Sequence, residues 1–495
     1  MISSISWVPK GVSKSVPSAA DPPSNEKIEE ILKSGLLETR GESENEENNE
    51  DMNVDDAVSQ DDELSRALSA ASALGKAPKS SKMESDSLAD ALKELDMDNY
   101  DEEDDGVELF GSGLGNLYYP SNDMDPYLKG QDEEDSEEEE DITIKPEDAV
   151  IVCARNEDDV SHLEACNFFV WILEDPTNGD SNMYVHHDIV IPAFPLCTAW
   201  LGCPLKGGDK GNFIAIGSME PAIEIWDLDI IDEVQPSATL GGIIEKKRKG
   251  KKKSIKYKDG SHTDAVLGLA WNKAFSNGLA SASADKLVKI WDVATETCTR
   301  TFASHLQVQA VAWNHFAPSV LLSGSFDHTV NMKDVRIPEH QGVTWSVAAD
   351  VESLAWDPHT EHSFVVSLEN GTVTGFDIRK ASSKASSQPE ASFTIHAHDK
   401  AVCTIAYNTS IPNLLATGSE DKMVKLWDLS NQPSCIASKN PKAGAVFSVS
   451  FSEDCPFTLA IGGSKGKLQV WDLLTDAEVA KRYGKYANKA KSSTP

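Results

Sequence analysis

Histidine, hydroxyl and aspartate residues recur in this chain in sets that could run acyl transfer. One set is His262, Ser281 (or Ser283 on the same face) and Asp285, and another is His398, Thr417 and Asp421. A hydrolase would use such an imidazole as base, the hydroxyl as nucleophile and the carboxylate as the orienting group. Two features argue against it. The pattern repeats, whereas a catalytic set occurs once, and each set is followed by a tryptophan, Trp291 or Trp427. The expected arrangement is a buried chain in which the imidazole links the carboxylate to the hydroxyl and the hydroxyl meets the indole N–H. That role is structural, and the chain is expected not to be an enzyme.

Other chemistry-bearing residues are scattered. His186-His187-Asp188 has metal-ligand types, but in a strand the adjacent histidines are expected on opposite faces. The glycines of GSGLG, residues 111–115, lack the strand and helix of a phosphate-binding loop. Eight cysteines occur with no CxxC pair, so neither a disulfide framework nor a zinc site is expected, and the usage suits a reducing compartment. No cofactor is implied. No apolar leader or spanning run is visible, so a soluble protein without membrane partners is expected.

Two charged features point to binding instead. The run KKRKGKKK places Lys246, Lys247, Arg248, Lys249, Lys251, Lys252 and Lys253 within eight residues, with Lys256 and Lys258 just after. Nuclear import or contact with nucleic acid is the expected role, since clustered cations gain by releasing counterions from phosphate. Asp334-Val335-Arg336 and Asp377-Ile378-Arg379 close two successive apolar runs, and an Asp-x-Arg box there resembles the one by which some substrate receptors dock on the adaptor of cullin-RING ubiquitin ligases. Such an arginine would pair bidentately with an acidic site.

The elements that position these residues are legible from two phased series. Trp226-Asp227, Trp291-Asp292, Lys333-Asp334, Phe376-Asp377, Trp427-Asp428 and Trp471-Asp472 end alternating apolar runs at spacings of 65, 42, 43, 51 and 44 residues. About twenty residues before each stands another strand-ending aromatic: Trp200, Trp271, Trp313, Trp356, Tyr407 and Phe451. A period of about 40–45 residues with a terminal Trp-Asp marks propeller blades, and period-two alternation marks strands with distinct faces. The fold class is all-β, a seven-bladed WD-repeat β-propeller spanning 146–486. Lys333 stands where tryptophan is expected, so His305, Ser323 and Asp327 lack an indole partner and the lysine is expected to extend its amine toward the rim. Asn370-Gly371 suits a type I′ hairpin. This blade and the one before it are expected to be the less rigid part of the ring.

One blade lacks an opening strand. Residues 149–190 read as three strands, and ISSISWVP at 2–9, ending near Trp7, has the pattern of the missing one. The N-terminus is therefore expected to close the first blade from a distance. ACNFF, 165–169, overextends the Trp171 strand and predicts a bulge or an isoform-specific segment. Residues 10–145 become a long excursion carrying 39 acidic and 12 basic residues, most of the chain's net charge of −36. Its acidic blocks have too few apolar residues to pack and are expected to be disordered. LADALKELDMDNY (88–100) and LYYPSNDMDPYL (117–128) are islands that dock on a partner or back on the ring. Ser43 and Ser136 precede acidic runs and are candidate phosphorylation sites. A basic inter-blade loop is expected at 232–260 and a disordered tail at 487–495.

The stretches outside the repeats carry a resemblance. ISSISWVPKGVSKSVP, the acidic tract, LYYPSNDMDPYL, IKPEDAVIVCARN, MYVHHDIVIPAFPL, IEIWDLDIID and the lysine run before GSHTDAVLGLAWN together resemble the periodic tryptophan protein 1 family, WD-repeat proteins of eukaryotes. The resemblance covers nearly the whole chain. It implies a nuclear and nucleolar scaffold in ribosome biogenesis, linked to rRNA gene transcription and chromatin through histones, and to rRNA processing. The implied partners are histones, ribosome assembly factors and rRNA or rDNA. The ACNFF segment and the short C-terminus after Tyr486 depart from the family pattern.

Overall fold

The computed structural model describes residues 1–20, 143–157, 165–173, 182–205, 211–249, 252–303, 306–337, 342–380 and 390–490. Seven sheets form a ring of blades. Each blade runs from an inner strand at the channel to an outer strand at the periphery, because one small sheet cannot bury both faces without neighbours on each side. Blades 2 to 6 occupy 195–240, 266–303, 308–346, 351–396 and 404–439, and blade 7 has three strands within 446–472.

Blade 1 is discontinuous. Its inner strand is β1 (Ile2–Val8), which pairs antiparallel with Ala149–Glu157, followed by Ala165–Leu173 and Met183–Ile191. β1 packs between the inner strands of blades 7 and 2. Ile2, Ile5 and Val8 are buried, and Trp7 Nε1 donates to Ser450 O of blade 7 at 3.0 Å. The same stitch recurs around the ring. Trp313 donates to Ala270 O at 3.0 Å and Trp356 to Ala312 O at 3.2 Å, each reaching back one blade. Trp7, Trp313 and Trp356 thus tie neighbouring blades together, whereas Trp200 and Trp271 donate within their own blades, to Asn212 Oδ1 at 3.0 Å and to Ser276 O at 2.8 Å. Beyond β1, Ser18–Ala19 pairs in parallel with Ile230–Ile231, anchoring the outgoing chain to the segment after Trp226-Asp227.

A second stitch was not anticipated. Asn272, Asn314 and Asn408 follow the inner-strand aromatics, and each side chain caps its own turn while donating to the next blade. Asn272 Oδ1 accepts from Ala274 N and Phe275 N, and Nδ2 donates to Pro318 O at 2.7 Å. Asn314 reaches Glu361 O at 3.2 Å and Asn408 reaches Pro456 O at 2.6 Å. Buried amides with every group satisfied cost little and fix blade spacing.

Several expectations are corrected. The turn at Asn370-Gly371 is not type I′, which needs positive φ at both central residues. Gly371 N donates to Leu368 O at 3.2 Å, and positive φ falls on Gly371 alone, at +83°. Lys286, His328, Lys422 and Gly466 hold the same left-handed position in their blades, so one three-residue hairpin is reused. His186 and His187 do not alternate cleanly. The register against Ala165–Leu173 shifts between Val170 and Trp171, making His186 the extra residue of a bulge. The two imidazoles consequently meet, Nδ1 to Nδ1, at 2.8 Å. The residues of ACNFF pair in continuous register with Ala149–Glu157, the bulge lying further along on the other side.

Lys333 places its amine 4.9 Å from the centroid of the Phe302 ring rather than simply extending to solvent. On the opposite face of blade 4, Trp345 of its outer strand is fully buried against blade 5, edge-on to Phe364 at 5.0 Å. The stretch 232–260 is not a plain loop. It holds the outer strand of blade 2, Ala238–Leu240, and a separate two-stranded ribbon. Finally, residues 487–490 belong to helix α1 (Ala477–Ala490), whose Val479 and Tyr483 join the core between blades 6 and 7.

Candidate functional site

The two His-hydroxyl-Asp sets come together as closed chains. In blade 3, His262 Nδ1 lies 2.9 Å from Asp285 Oδ2, His262 Nε2 lies 2.7 Å from Ser281 Oγ, and Trp291 Nε1 donates to Ser281 Oγ at 2.8 Å. In blade 6 the distances are 2.8 Å to Asp421, 2.8 Å to Thr417 Oγ1 and 3.0 Å from Trp427 Nε1. His262 and Ser281 are 0% exposed, so no substrate reaches the hydroxyl. Ser283 does not share the chain; its Oγ donates to Asp264 O. Asp285 has a further task, because its Oδ1 accepts from Leu287 N and holds the hairpin turn at 2.9 Å, as Asp421 does for Met423. Burial works to raise the Asp285 carboxyl. Hydrogen bonds and charge from His262, with the N–H groups of Thr263 and Leu287, outweigh it and hold the group below its ordinary range. Burial drives the His398 imidazole down against the pull of Asp421, which favours the neutral ring that such a chain requires.

Cavities lie at both ends of the inner strands. One cavity of about 250 Å³ lies where the inner strands end, lined by Trp7, Trp200, Trp271, Lys273 and Glu453. Lys273 and Glu453 form an ion pair there between blades 3 and 7. The other cavity, about 420 Å³, lies where the inner strands begin and includes Ser4, Gln309, Glu352, Cys403 and Glu420. Burial, with Glu369, Asp350 and Glu420 close by, pushes Glu352 up to about 7. Among the described residues no cluster of three or more ligand-type side chains could hold a metal.

Arg336 and Arg379 are exposed but already engaged. Arg336 donates from Nε and Nη2 to Asp334, the shorter contact at 2.6 Å, and Arg379 does the same to Asp377 at 2.7 Å. Hydrogen bonds from these guanidiniums are the main cause holding both aspartates down at about 2.

The basic run lies on the ribbon formed by Ile243–Lys249 and Lys252–Tyr257. Lys246, Lys247, Arg248 and Lys249 fall on its first strand and Lys252 and Lys253 on its second. Lys251, His305, Ser43, Ser136, GSGLG and both islands of the acidic tract lie outside the described residues.

Comparison with known proteins agrees with this architecture. The family model described as WD domain, G-beta repeat matches residues 253–292, 296–334 and 389–428. An uncharacterized WD repeat-containing protein of Schizosaccharomyces pombe is 36% identical over 73% of this chain and 69% of its own length. Periodic tryptophan protein 1 of Saccharomyces cerevisiae is 30% identical over 90% of this chain and 82% of its own. The periodic tryptophan protein 1 homolog of Drosophila melanogaster is 32% identical over 70% and 71%.

Proposed function

Because the chain belongs to the periodic tryptophan protein 1 family, we infer that it is a non-catalytic scaffold of the nucleus and nucleolus acting in ribosome biogenesis. It holds histones and ribosome assembly factors on the rim of the ring and meets rRNA or rDNA through the basic ribbon, serving rRNA gene transcription and rRNA processing. The observation that carries the non-catalytic reading is the saturation of His262. Both ring nitrogens are spent on Asp285 and Ser281 inside blade 3, so the residues that could have done chemistry hold strands together instead. The acidic excursion is suited to competing for histones, and phosphate on Ser43 or Ser136 would add roughly −1.5 to −2 charges each.

The test is sedimentation of nuclear extract containing the intact protein. Co-migration with pre-ribosomal particles, and histone retention on the purified protein, supports the reading. Free sedimentation without histones or assembly factors overturns it.

A second reading, docking on a ligase adaptor through Arg336 and Arg379, draws on the exposure of both guanidiniums. It is weaker because two donors of each fork are already committed to the chain's own aspartates. Adaptor co-purification abolished by Arg336→Ala with Arg379→Ala would favour it.

A further inference from the structure

The connection between blades 2 and 3 sets cation against cation. In the ribbon, Arg248 stands opposite Lys253 and Lys249 opposite Lys252. Like charges directly opposite one another destabilise a strand pair, so the ring gains nothing from this register by itself. A partner that brings negative charge along both strands converts the repulsion into attraction.

The ribbon is also mounted to project. It forms a sheet of its own, and Ile244 and Ile255 near its foot are 52% and 42% exposed. Its foot is hydrogen-bonded to the ring. Gly241 and Gly242 turn the chain with φ of +73° and +98°, a region that favours glycine. Gly242 N donates to Ser261 Oγ at 2.8 Å, and Lys258 N donates to Gly242 O at 2.9 Å. Ser261 directly precedes His262, so the foot is continuous with the most rigidly bonded part of blade 3.

We propose that this ribbon binds a B-form duplex by entering its major groove, with its two strands serving the phosphates on the two sides. This deepens the nucleic-acid part of the proposed function and rests on it. A two-stranded ribbon fits that groove, whereas the major groove of an RNA duplex is too narrow for side chains to read. The dimensions agree. From Lys246 to Lys249 the strand rises about 10 Å, a length along which a duplex carries about six phosphates. Six cations occupy that length of ribbon: Lys246, Lys247, Arg248, Lys249, Lys252 and Lys253. The chain's net charge of −36 opposes a polyanion only within about 8 Å at physiological salt, so a projecting ribbon escapes most of it.

The test uses the full-length protein, a 20-base-pair DNA duplex, its single strand, and fluorescence anisotropy between 50 and 200 mM salt. The duplex is expected to bind at least tenfold more tightly than the single strand. Duplex affinity should fall about a thousandfold across that salt range if all six cations engage. Alanine at the six positions should abolish most binding and flatten the salt dependence. Ser254→Pro with Ile255→Pro keeps every cation. Because successive N–H groups point to opposite sides, one of the two prolines must remove a bond of the ladder. That variant should lose the preference for duplex while still binding single strand. Unchanged duplex binding by the proline variant overturns the groove geometry. Equal or tighter binding of the single strand, or unchanged binding by the alanine variant, overturns the assignment altogether. Sedimentation with pre-ribosomes is read separately, so loss there with duplex binding intact counts against the scaffold function alone. Tryptophan fluorescence of each variant reports that the ring is folded.

Discussion

Weakening β1 should open the ring, and the size of the effect follows from what the strand buries. Ile2 and Ile5 are 0% and 7% exposed and share a cluster with Ile151, Cys153, Ala460 and Leu468, which spans blades 1 and 7. Ile→Ala in a packed core costs about 2–5 kcal/mol. Ile2→Ala with Ile5→Ala therefore sums to about 4–10 kcal/mol, less some coupling because both side chains touch the same neighbours. Domains of this kind have about 5–15 kcal/mol in total, so the double variant should be marginal or open. The backbone pairs of β1 with Ala149–Glu157 are untouched by these substitutions, which isolates packing across the closure. The assay is urea unfolding followed by tryptophan fluorescence, with limited proteolysis of residues 149–191 as the local reading. A chain lacking residues 1–10 should behave like the double variant, and a synthetic peptide of residues 1–10 should restore it. A change under about 1 kcal/mol, or full stability without residues 1–10, would refute closure by this strand.

Three further outcomes are expected. Trp291→Ala should cost about 3–5 kcal/mol, and Trp291→Phe less, mainly the indole hydrogen bond to Ser281; equal loss in both would mean the N–H bond carries the effect and packing does not. Asn408→Ala should cost about 1–3 kcal/mol, since Pro456 O, Ser410 N and Ile411 N lose their shared partner, and hydrogen exchange should rise at the junction of blades 6 and 7; protection equal to wild type would contradict the stitch. Glu352 has a folded pKa of about 7 against an ordinary 4.5, so the folded state holds the extra proton between those values and the group's favourable contribution fades as pH rises through that window. The stability advantage of Glu352→Gln should accordingly grow from pH 4.5 to 7 and then level off; an advantage constant with pH would contradict the raised pKa that burial and the neighbouring carboxylates produce.

The ring was legible because its signals are local and repeated. A tryptophan before aspartate marks the end of a third strand, an aromatic about twenty residues earlier marks the first, and Trp7 carried the second mark even though its blade resumes at Ala149. The hydrogen-bonded sets were legible for the same reason. What escaped depended on partners far away in sequence, lay outside the repeat, or had its pattern masked by charge. The asparagine stitches are visible only once the next blade supplies its carbonyl, although Asn directly after the strand-ending aromatic at 272, 314 and 408 was a signal in plain view. Helix α1 was missed although Val479, Tyr483 and Tyr486 recur at helical spacing, because it follows the last Trp-Asp pair and lies outside the repeat that carried the reading. The ribbon was read as a loop because consecutive cations hide the alternation by which strands are recognised.

The central claim is that this propeller is a nuclear binding scaffold whose ribbon engages nucleic acid. It is tested most directly by crosslinking and affinity purification from nuclear extract, comparing the intact protein with one whose 246–253 cations are alanine. The account predicts pre-ribosomal RNA, assembly factors and histones with the intact protein, and loss of the nucleic acid with the alanine form. Recovery of a ligase adaptor instead, whatever the state of the ribbon, would contradict it.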